Sequence, residues 1–428
     1  MVELNFKPGD NVRLRLALEE LDGRVLESPD SSIILLKLKS GYNIGVPKEN
    51  ILAGRVLKKF TENPAGEFQL PKSNESLPKI GIIITGGTMA AKLDTRTGGV
   101  KHIVNIEEFF KYYPELFDIV NVKIIEVPFM IASESMSCEH WIKIARSAKE
   151  MLDDKEIQGI IITHGTDFLH YTSSALSFFL KDLPKPVVLT YSQRSIDRAS
   201  SDANLNLRCA AKMATSDTAE VMVVGHATPN DDFCYAIRGT KAKKMHSSRR
   251  DAFKSVNAEP IAKVWPDKIE YLCEYKKRTK TNAELDISFT DKVALIKFYP
   301  GQDPSILDFY ALKYKGIVIE AAGLGHLPVT EASHNWLPAL KKHIKNGLVV
   351  CAAAQTVYGR LDPYVYSNGR ELVDAGVIFL EDMLSETALV KLGWVLGHYG
   401  WKTRVKEKML ENQAGEINER LSLGHKKD

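Results

Sequence analysis

At 428 residues the chain exceeds what a single hydrophobic core supports and implies two or three domains. A composition of 44% hydrophobic and 26% charged residues is that of an ordinary globular protein, and a formal net charge of +3 gives no general affinity for nucleic acid or anionic membrane. No apolar run nears the ~20 residues of a membrane span, the first residues lack the basic-then-apolar plan of a secretion signal, and five scattered cysteines without a CxxC pair indicate neither a disulfide framework nor a zinc site; a cytoplasmic protein is expected.

Residues 1–75 carry short alternating segments, such as Asn11–Leu16 and Ser32–Leu38, separated by Pro-Gly-Asp, Asp-Gly and Ser-Gly turn signals, which predict a small all-β barrel. Its strands lack the interleaved aromatic and basic residues of a nucleic-acid surface, so a docking or spacing module is expected. The stretch from Thr61 to Leu77 reads as a linker that ends near residue 78. Over 79–266 strands and helices alternate, with strands at Ile82–Ile84, Val122–Val127, Ile160–Thr163, Val187–Tyr191 and Val221–Gly225. Helices are expected at Glu139–Leu152, Tyr171–Leu180 and Asn204–Met213. This pattern predicts a large, doubly wound α/β domain. The segment 267–291, with Glu274-Tyr275-Lys276-Lys277-Arg278-Thr279-Lys280, reads as an interdomain linker whose charges are solvated. A second, smaller α/β unit over 292–428 has strands at Val293–Phe298, Gly316–Glu320 and Leu348–Ala352. Its helices are expected at Ile306–Lys313, Glu331–Ile344 and Thr387–Leu396, before a charged helical tail.

Two strands of the large domain end alike. Ile82-Ile83-Ile84 stops at Thr85-Gly86-Gly87-Thr88, and Ile160-Ile161-Ile162-Thr163 runs into His164-Gly165-Thr166-Asp167. Open α/β sheets bind ligands beyond the carboxyl ends of their strands, and glycines there let backbone N–H groups approach a ligand closely. A dinucleotide motif is missing, since Gly323-Leu324-Gly325-His326-Leu327-Pro328 ends in proline. Walker A, His-Glu-x-x-His and Gly-x-Ser-x-Gly are missing as well. His164 and His170 suggest a pair of metal ligands, but satisfied histidines are the expected reading. What remains is the hydroxyls of Thr88 and Thr166, the carboxylate of Asp167 and a lysine from Lys241–Arg250. A threonine alcohol attacks when a base takes its proton, and a lysine oriented by an aspartate is such a base. Each strand-end threonine taken alone reads as an ordinary helix N-cap.

Taken together, Thr85-Gly86-Gly87-Thr88 and His164-Gly165-Thr166-Asp167 resemble the two signature motifs of the L-asparaginase type I family. Lys244-Met245-His246-Ser247-Ser248-Arg249-Arg250-Asp251-Ala252-Phe253 and the N-terminal barrel with Gly41-Tyr42-Asn43-Ile44-Gly45 are similar to the archaeal members that serve tRNA-dependent amidotransferases. The resemblance implies two doubly wound α/β domains of the asparaginase fold after the barrel. It implies Thr88 as nucleophile and Thr166, Asp167 and Lys244 as a Thr-Lys-Asp set. It further implies Ser133 on the substrate α-carboxylate, Glu134 facing its α-ammonium, the backbones of Gly87 and Gly165 beside substrate, and a lid over Lys92–Gly99 that includes Thr95 and Thr97. Thr95 stands where the lid commonly carries a tyrosine, His326 where free-standing asparaginases have an asparagine reaching the neighbouring subunit's site, and Phe168 where many relatives have a smaller or polar residue.

The activity implied is that of a glutaminase whose ammonia passes to a partner, GatE. That partner binds glutamyl-tRNA(Gln), activates its glutamate with ATP and Mg²⁺ and forms glutaminyl-tRNA(Gln). By the same resemblance the present chain binds no cofactor or metal and forms a homodimer within a heterotetramer. Two other readings stay open. A free-standing L-asparaginase has the same catalytic set and no need of the barrel, and glutamine differs from asparagine by one methylene, worth only ~1–3 kcal/mol. A non-catalytic amino-acid sensor keeps the fold but has no need of all four catalytic positions. The cations between Arg238 and Arg250 read as a solvated face or an RNA patch, apart from Lys244.

Overall fold

The computed structural model describes residues 5–28, 30–38, 43–60, 74–93, 100–102, 110, 112–196, 198, 200–330 and 332–421. Five strands open the chain: β1 (Asn11–Arg15), β2 (Glu20–Leu26), β3 (Ile33–Leu38), β4 (Asn43–Pro47) and β5 (Ala53–Lys58). They form an antiparallel sheet in the order β4-β3-β2-β1-β5. In β1 Val12 and Leu14 are buried between less buried neighbours, the period of two that places one face of a strand inward. All five strands feed one core, from Val12, Leu14, Val25, Ile34, Leu36, Val46 and Ile51 with Val56 against it, so the sheet curls around its own interior. Most of the expected linker, 61–73, lies outside the described residues.

The large domain alternates strands and helices. β6 (Lys79–Ile84) leads to the short pair β7 (Ala91–Leu93) and β8 (Val100–His102), then β9 (Asn121–Glu126) and α1 (Cys138–Asp153). β10 (Ile157–Thr163), α2 (Leu169–Phe179), β11 (Leu180–Lys181), β12 (Val187–Thr190), α3 (Ala203–Ala214) and β13 (Val221–His226) follow. β14 (Cys234–Arg238), the hairpin β15 (Ala242–Lys244) and β16 (Phe253–Ser255), β17 (Ala262–Val264) and β18 (Ile269–Tyr271) complete it. The main sheet has the order β18-β17-β14-β13-β12-β10-β6-β9. The five strands from β13 to β9 are parallel, and β14, β17 and β18 add an antiparallel edge. Because β6, β10 and β12 are covered on both faces they are almost continuously β-branched or leucine, as buried parallel strands are. α1 and α2 cover one face, and α3 with the segment near Phe110–Val120 covers the other. Gly159 is the point of closest approach to α3, where a Cβ would stand 2.0 Å from the Ala214 carbonyl oxygen.

The segment 267–291 corrects the linker expectation. β18 belongs to the main sheet, and β19 (Glu284–Leu285) pairs with β11. Between them Arg278 donates to the carbonyls of Ser216 (2.5 Å) and Ala214 (3.2 Å), closing the carboxyl end of α3 rather than facing water. Lys276 and Lys277 are exposed, as a solvated stretch requires.

The C-terminal unit has a parallel sheet of β20 (Val293–Lys297), β21 (Gly316–Ala321), β22 (Val349–Ala354) and β23 (Ile378–Phe379) in that order. Its helices are α4 (Ile306–Lys313), α5 (Leu337–Lys345), α6 (Ser367–Asp374), α7 (Ser385–Gly397) and α8 (Val405–Leu410). α5 starts six residues later than its apolar spacing suggests: Pro338 favours a first turn there, and Asn335 Oδ1 accepts the Leu337 N–H at 2.9 Å. Among the described residues the tail is helical at a 3₁₀ turn, Tyr399–Trp401, and over α8, and beyond α8 Glu416 is buried in a pair with Lys391. α7 lies between the two α/β units, its Val390, Leu392 and Trp394 sharing a core with Phe178 of α2 and Val318 of β21. No helix among the described residues is long and apolar enough to cross a membrane.

Candidate active site

β6 and β10 are parallel neighbours in a register that sets Ile84 beside Thr163, so the chain leaves both strands side by side. Thr85 locks the exit, its N–H and its hydroxyl both donating to the Thr163 carbonyl at 3.2 and 2.8 Å, while its own carbonyl accepts from the Ile131 N–H at 3.1 Å. Gly86 and Gly87 then take φ of +117° and +80°, a region open to glycine. A Cβ on Gly87 would stand 2.5 Å from the Gly165 nitrogen, and one on Gly165 would stand 2.9 Å from Ser133 Oγ. Three loops, following β6, β9 and β10, therefore meet at glycines with nothing between them.

Thr88 opens a single 3₁₀ turn, Thr88–Ala90, anchored by buried Met89 and Ala90 and by the Tyr113 hydroxyl on the Met89 carbonyl (3.0 Å). Every residue from 81 to 91 is buried except Thr88. A buried strand thus ends in a half-buried threonine, at the expected address for a reacting group.

On the adjacent tip Thr166 is buried and Asp167 is exposed. Lys244 Nζ reaches both, at 2.8 Å from Thr166 Oγ1 and 2.6 Å from Asp167 Oδ1. Its side chain is only 9% exposed against 59% for Asp167, so the ammonium is withdrawn from water and the carboxylate carries the solvated end of the pair. The lysine arrives on the β15–β16 hairpin, with Lys244 opposite Phe253. Sequence reasoning brings Thr166, Asp167 and Lys244 together, and the structure joins them by hydrogen bonds.

Ser133 is buried beside Gly165, and its Oγ accepts the Phe168 N–H at 3.4 Å. The start of α1 is capped by Ser137, whose N–H donates to His140 Nδ1 at 3.0 Å. Glu134 is exposed. Phe168 is 43% exposed, with its ring 5.5 Å from that of Tyr171. Thr95 and Thr97 lie outside the described residues; β7 and β8, which flank 94–99, pair antiparallel. His326 belongs to the C-terminal unit, where its ring meets Tyr366 edge-on at 5.1 Å.

Both histidines are buried, and His164 is hydrogen-bonded at both ring nitrogens whereas His170 Nδ1 has no partner among the described residues, so the expectation of two satisfied histidines holds for His164 alone. His164 Nδ1–H donates to the Gly165 carbonyl at 2.7 Å, which leaves Nε2 to accept the Thr172 hydroxyl at 2.9 Å. Burial lowers its pKa to about 4, so it is neutral at pH 7 and fixes the loop without adding charge. Burial likewise lowers His170 to about 4. Among the described residues no group of three or more His, Cys, Asp or Glu is placed to hold a metal ion. Between pH 6.5 and 4 the unfolded chain protonates these histidines and the folded chain does not, so stability falls as pH drops through that window. For His164 this is a loss of about 2 kcal/mol from pH 7 to pH 5. In urea titrations His164→Gln should lose less stability than wild type over that interval; equal losses would assign the acid sensitivity elsewhere.

Sequence reasoning misses the groups behind the lysine. Lys241 and Asp382 form a fully buried pair at 2.6 Å, and Lys243 pairs with Glu386. An ion pair across 141 or 143 residues leaves no local pattern to read.

Three family models match the chain: "GatD N-terminal domain" over residues 6–57, "Asparaginase, N-terminal" over 79–277 and "Glutaminase/Asparaginase C-terminal domain" over 292–409. Two similar relatives are D subunits of glutamyl-tRNA(Gln) amidotransferases. The chain is 48% identical over 422 residues to that of Thermococcus kodakarensis, covering 97% of this chain and 93% of that protein. It is 43% identical over 424 residues to that of Methanothermobacter thermautotrophicus, covering 97% and 95%. Among solved structures it is similar to the thermostable L-asparaginase from Thermococcus kodakarensis, with TM-score 0.72 and 32% identity over 79% of this chain and 99% of that one. L-asparaginase I from Vibrio cholerae gives TM-score 0.69 and 27% identity over 80% and 99%.

Proposed function

Since the chain belongs to the family of glutamyl-tRNA(Gln) amidotransferase D subunits, built on the asparaginase fold, we propose that it is the glutaminase subunit of a tRNA-dependent amidotransferase. Thr88 Oγ1 attacks the carboxamide carbon of glutamine. Its proton passes by way of Thr166 to the amine form of Lys244 and on to the departing nitrogen, so that the C–N bond breaks, ammonia leaves and a glutamyl ester of Thr88 remains. Water then adds to the ester, and glutamate and free Thr88 are regenerated. Backbone N–H groups around Gly87 and Gly165 receive the developing oxyanion, each such donor being worth roughly 3 kcal/mol in the transition state. Ser133 and Glu134 take the α-carboxylate and α-ammonium, and the stretch with Thr95 and Thr97 closes over the substrate.

The ammonia is passed to a partner, GatE, which holds glutamyl-tRNA(Gln) and uses ATP and Mg²⁺ to activate its glutamate; this chain contributes no cofactor of its own. The working assembly is a cytoplasmic heterotetramer around a homodimer of this chain. The observation that carries the reading is the half-buried Thr88 on a strand tip packed, Gly87 against Gly165, on the tip that carries the Thr166–Lys244–Asp167 set. Similarity to L-asparaginases favours a second reading, a free-standing asparaginase.

Ammonia release from glutamine and from asparagine, by the chain alone and with GatE and glutamyl-tRNA(Gln), separates the two. The amidotransferase reading expects glutamine hydrolysis that is slow alone and rises with partner and charged tRNA. Fast asparagine hydrolysis indifferent to both would replace it with the free-standing enzyme.

A further inference from the structure

Lys244 stands next to another lysine on a strand of three residues, Ala242-Lys243-Lys244, and successive side chains of a strand face opposite ways. One of these ammonium groups enters the site and the other faces the C-terminal unit. A slip of one residue would exchange them. The local pairing of β15 with β16, three residues on each side, is a short ladder with which to exclude that slip.

The exclusion comes from the C-terminal unit. At the foot of the strand Lys241 Nζ donates to Asp382 Oδ2 at 2.6 Å with both side chains fully buried. Asp382 is itself fixed by Asn418, whose N–H reaches Oδ1 at 2.9 Å and whose side-chain amide reaches Oδ2 at 2.6 Å. Two residues on, Lys243 pairs with Glu386 in the first turn of α7. Glu386 accepts from the Ser385 hydroxyl at 3.2 Å, and that hydroxyl lies 2.6 Å from Glu320 Oε1 at the end of β21. The Thr387 hydroxyl holds the Thr240 carbonyl at 2.9 Å. Residues 241 and 243 are thus anchored to the C-terminal unit, while Lys244 reaches Thr166 and Asp167 in the large domain.

Buried ion pairs are a poor source of net stability, since apolar replacements often serve as well, but they specify register because each charge must meet its partner. We infer that Asp382 and Glu386 are positioning residues for Lys244: the C-terminal unit selects which lysine enters the site and fixes where its nitrogen lies. This rests on Lys244 being the base of the glutaminase reaction.

The test uses the full chain and two readouts. Glu386→Gln and Lys243→Met each remove one charge of the pair that is not wholly buried, and Lys243→Glu combined with Glu386→Lys exchanges the two. In glutamine hydrolysis each single variant should lower kcat about 10-fold or more at nearly unchanged KM, the signature of a misplaced group rather than lost binding, and the exchange should recover most of it. Independently of turnover, the rate at which acetic anhydride modifies Lys244, followed by peptide mass spectrometry, should rise several-fold in each single variant and return in the exchange. Wild-type kcat and wild-type labelling in both single variants would overturn the inference. So would losses that merely track thermal melting and that the exchange leaves unrepaired. If wild type shows no Thr88-dependent ammonia release, the glutaminase reading falls, and the labelling arm still decides whether these carboxylates position Lys244.

Discussion

Thr88→Ala will leave a folded chain that releases ammonia from glutamine about four orders of magnitude more slowly than wild type, or worse. The side chain is the half-buried member of an otherwise buried run, and its truncation removes only two heavy atoms, so the melting temperature should change little. Lys244→Met should approach the same loss, because a nucleophile without a base is nearly as inert as no nucleophile. Members of one catalytic set act as a unit, so the double variant should be scarcely worse than either single one. Multiplying losses in the double variant would mean that Thr88 and Lys244 serve separate steps, contrary to a set in which Lys244 Nζ is joined to Thr166 at 2.8 Å on the neighbouring strand tip. The measurement is kcat and KM for glutamine in the three variants, with thermal melts alongside.

Gly87→Ala has the second largest expected effect, and its cause is packing. Gly87 sits at φ +80° and ψ 179°, a backbone region that side chains rarely adopt, at a cost of about 1–3 kcal/mol. Its new methyl would also stand 2.5 Å from the Gly165 nitrogen and 2.6 Å from the Gly165 Cα, backbone atoms that cannot swing aside. The strand tips carrying Thr88 and Thr166 would be forced apart. We expect a loss of about 2–5 kcal/mol in urea unfolding. Turnover should fall by about 10²-fold or more, since displacements near 1 Å are that costly. Gly301→Ala separates strain from collision, because Gly301 has the same φ of +80° with nothing within 4 Å of the place a Cβ would take. That variant should lose about 1 kcal/mol and keep its activity. Equal effects in the two would assign the whole cost to φ.

The parts of the fold legible in the sequence are those governed by local pattern. The runs at Ile82–Ile84 and Ile160–Thr163 announce buried parallel strands, and the glycines and hydroxyls after them announce the site. Leu337 as the start of α5 is masked by apolar spacing that continues upstream of Pro338. The antiparallel edge β14, β17 and β18 is harder to see, because strands of three to five residues in polar surroundings have too little periodicity to register. Arg278 and Glu416 look in sequence like solvated charges, yet one closes a helix end and the other is buried against Lys391. Burial of a charge is set by its distant partner, and for the same reason the Asp382 and Glu386 anchors behind Lys244 leave no trace in the motifs.

The central claim is that Thr88 is the attacking group, and its most direct test is covalent. A diazoketone analogue of glutamine alkylates the nucleophile that attacks it, and peptide mass spectrometry locates the bond. The account predicts one label, on the peptide containing Thr88, absent from Thr88→Ala and prevented by excess glutamine. A label on Thr166, or undiminished labelling in Thr88→Ala, would contradict it.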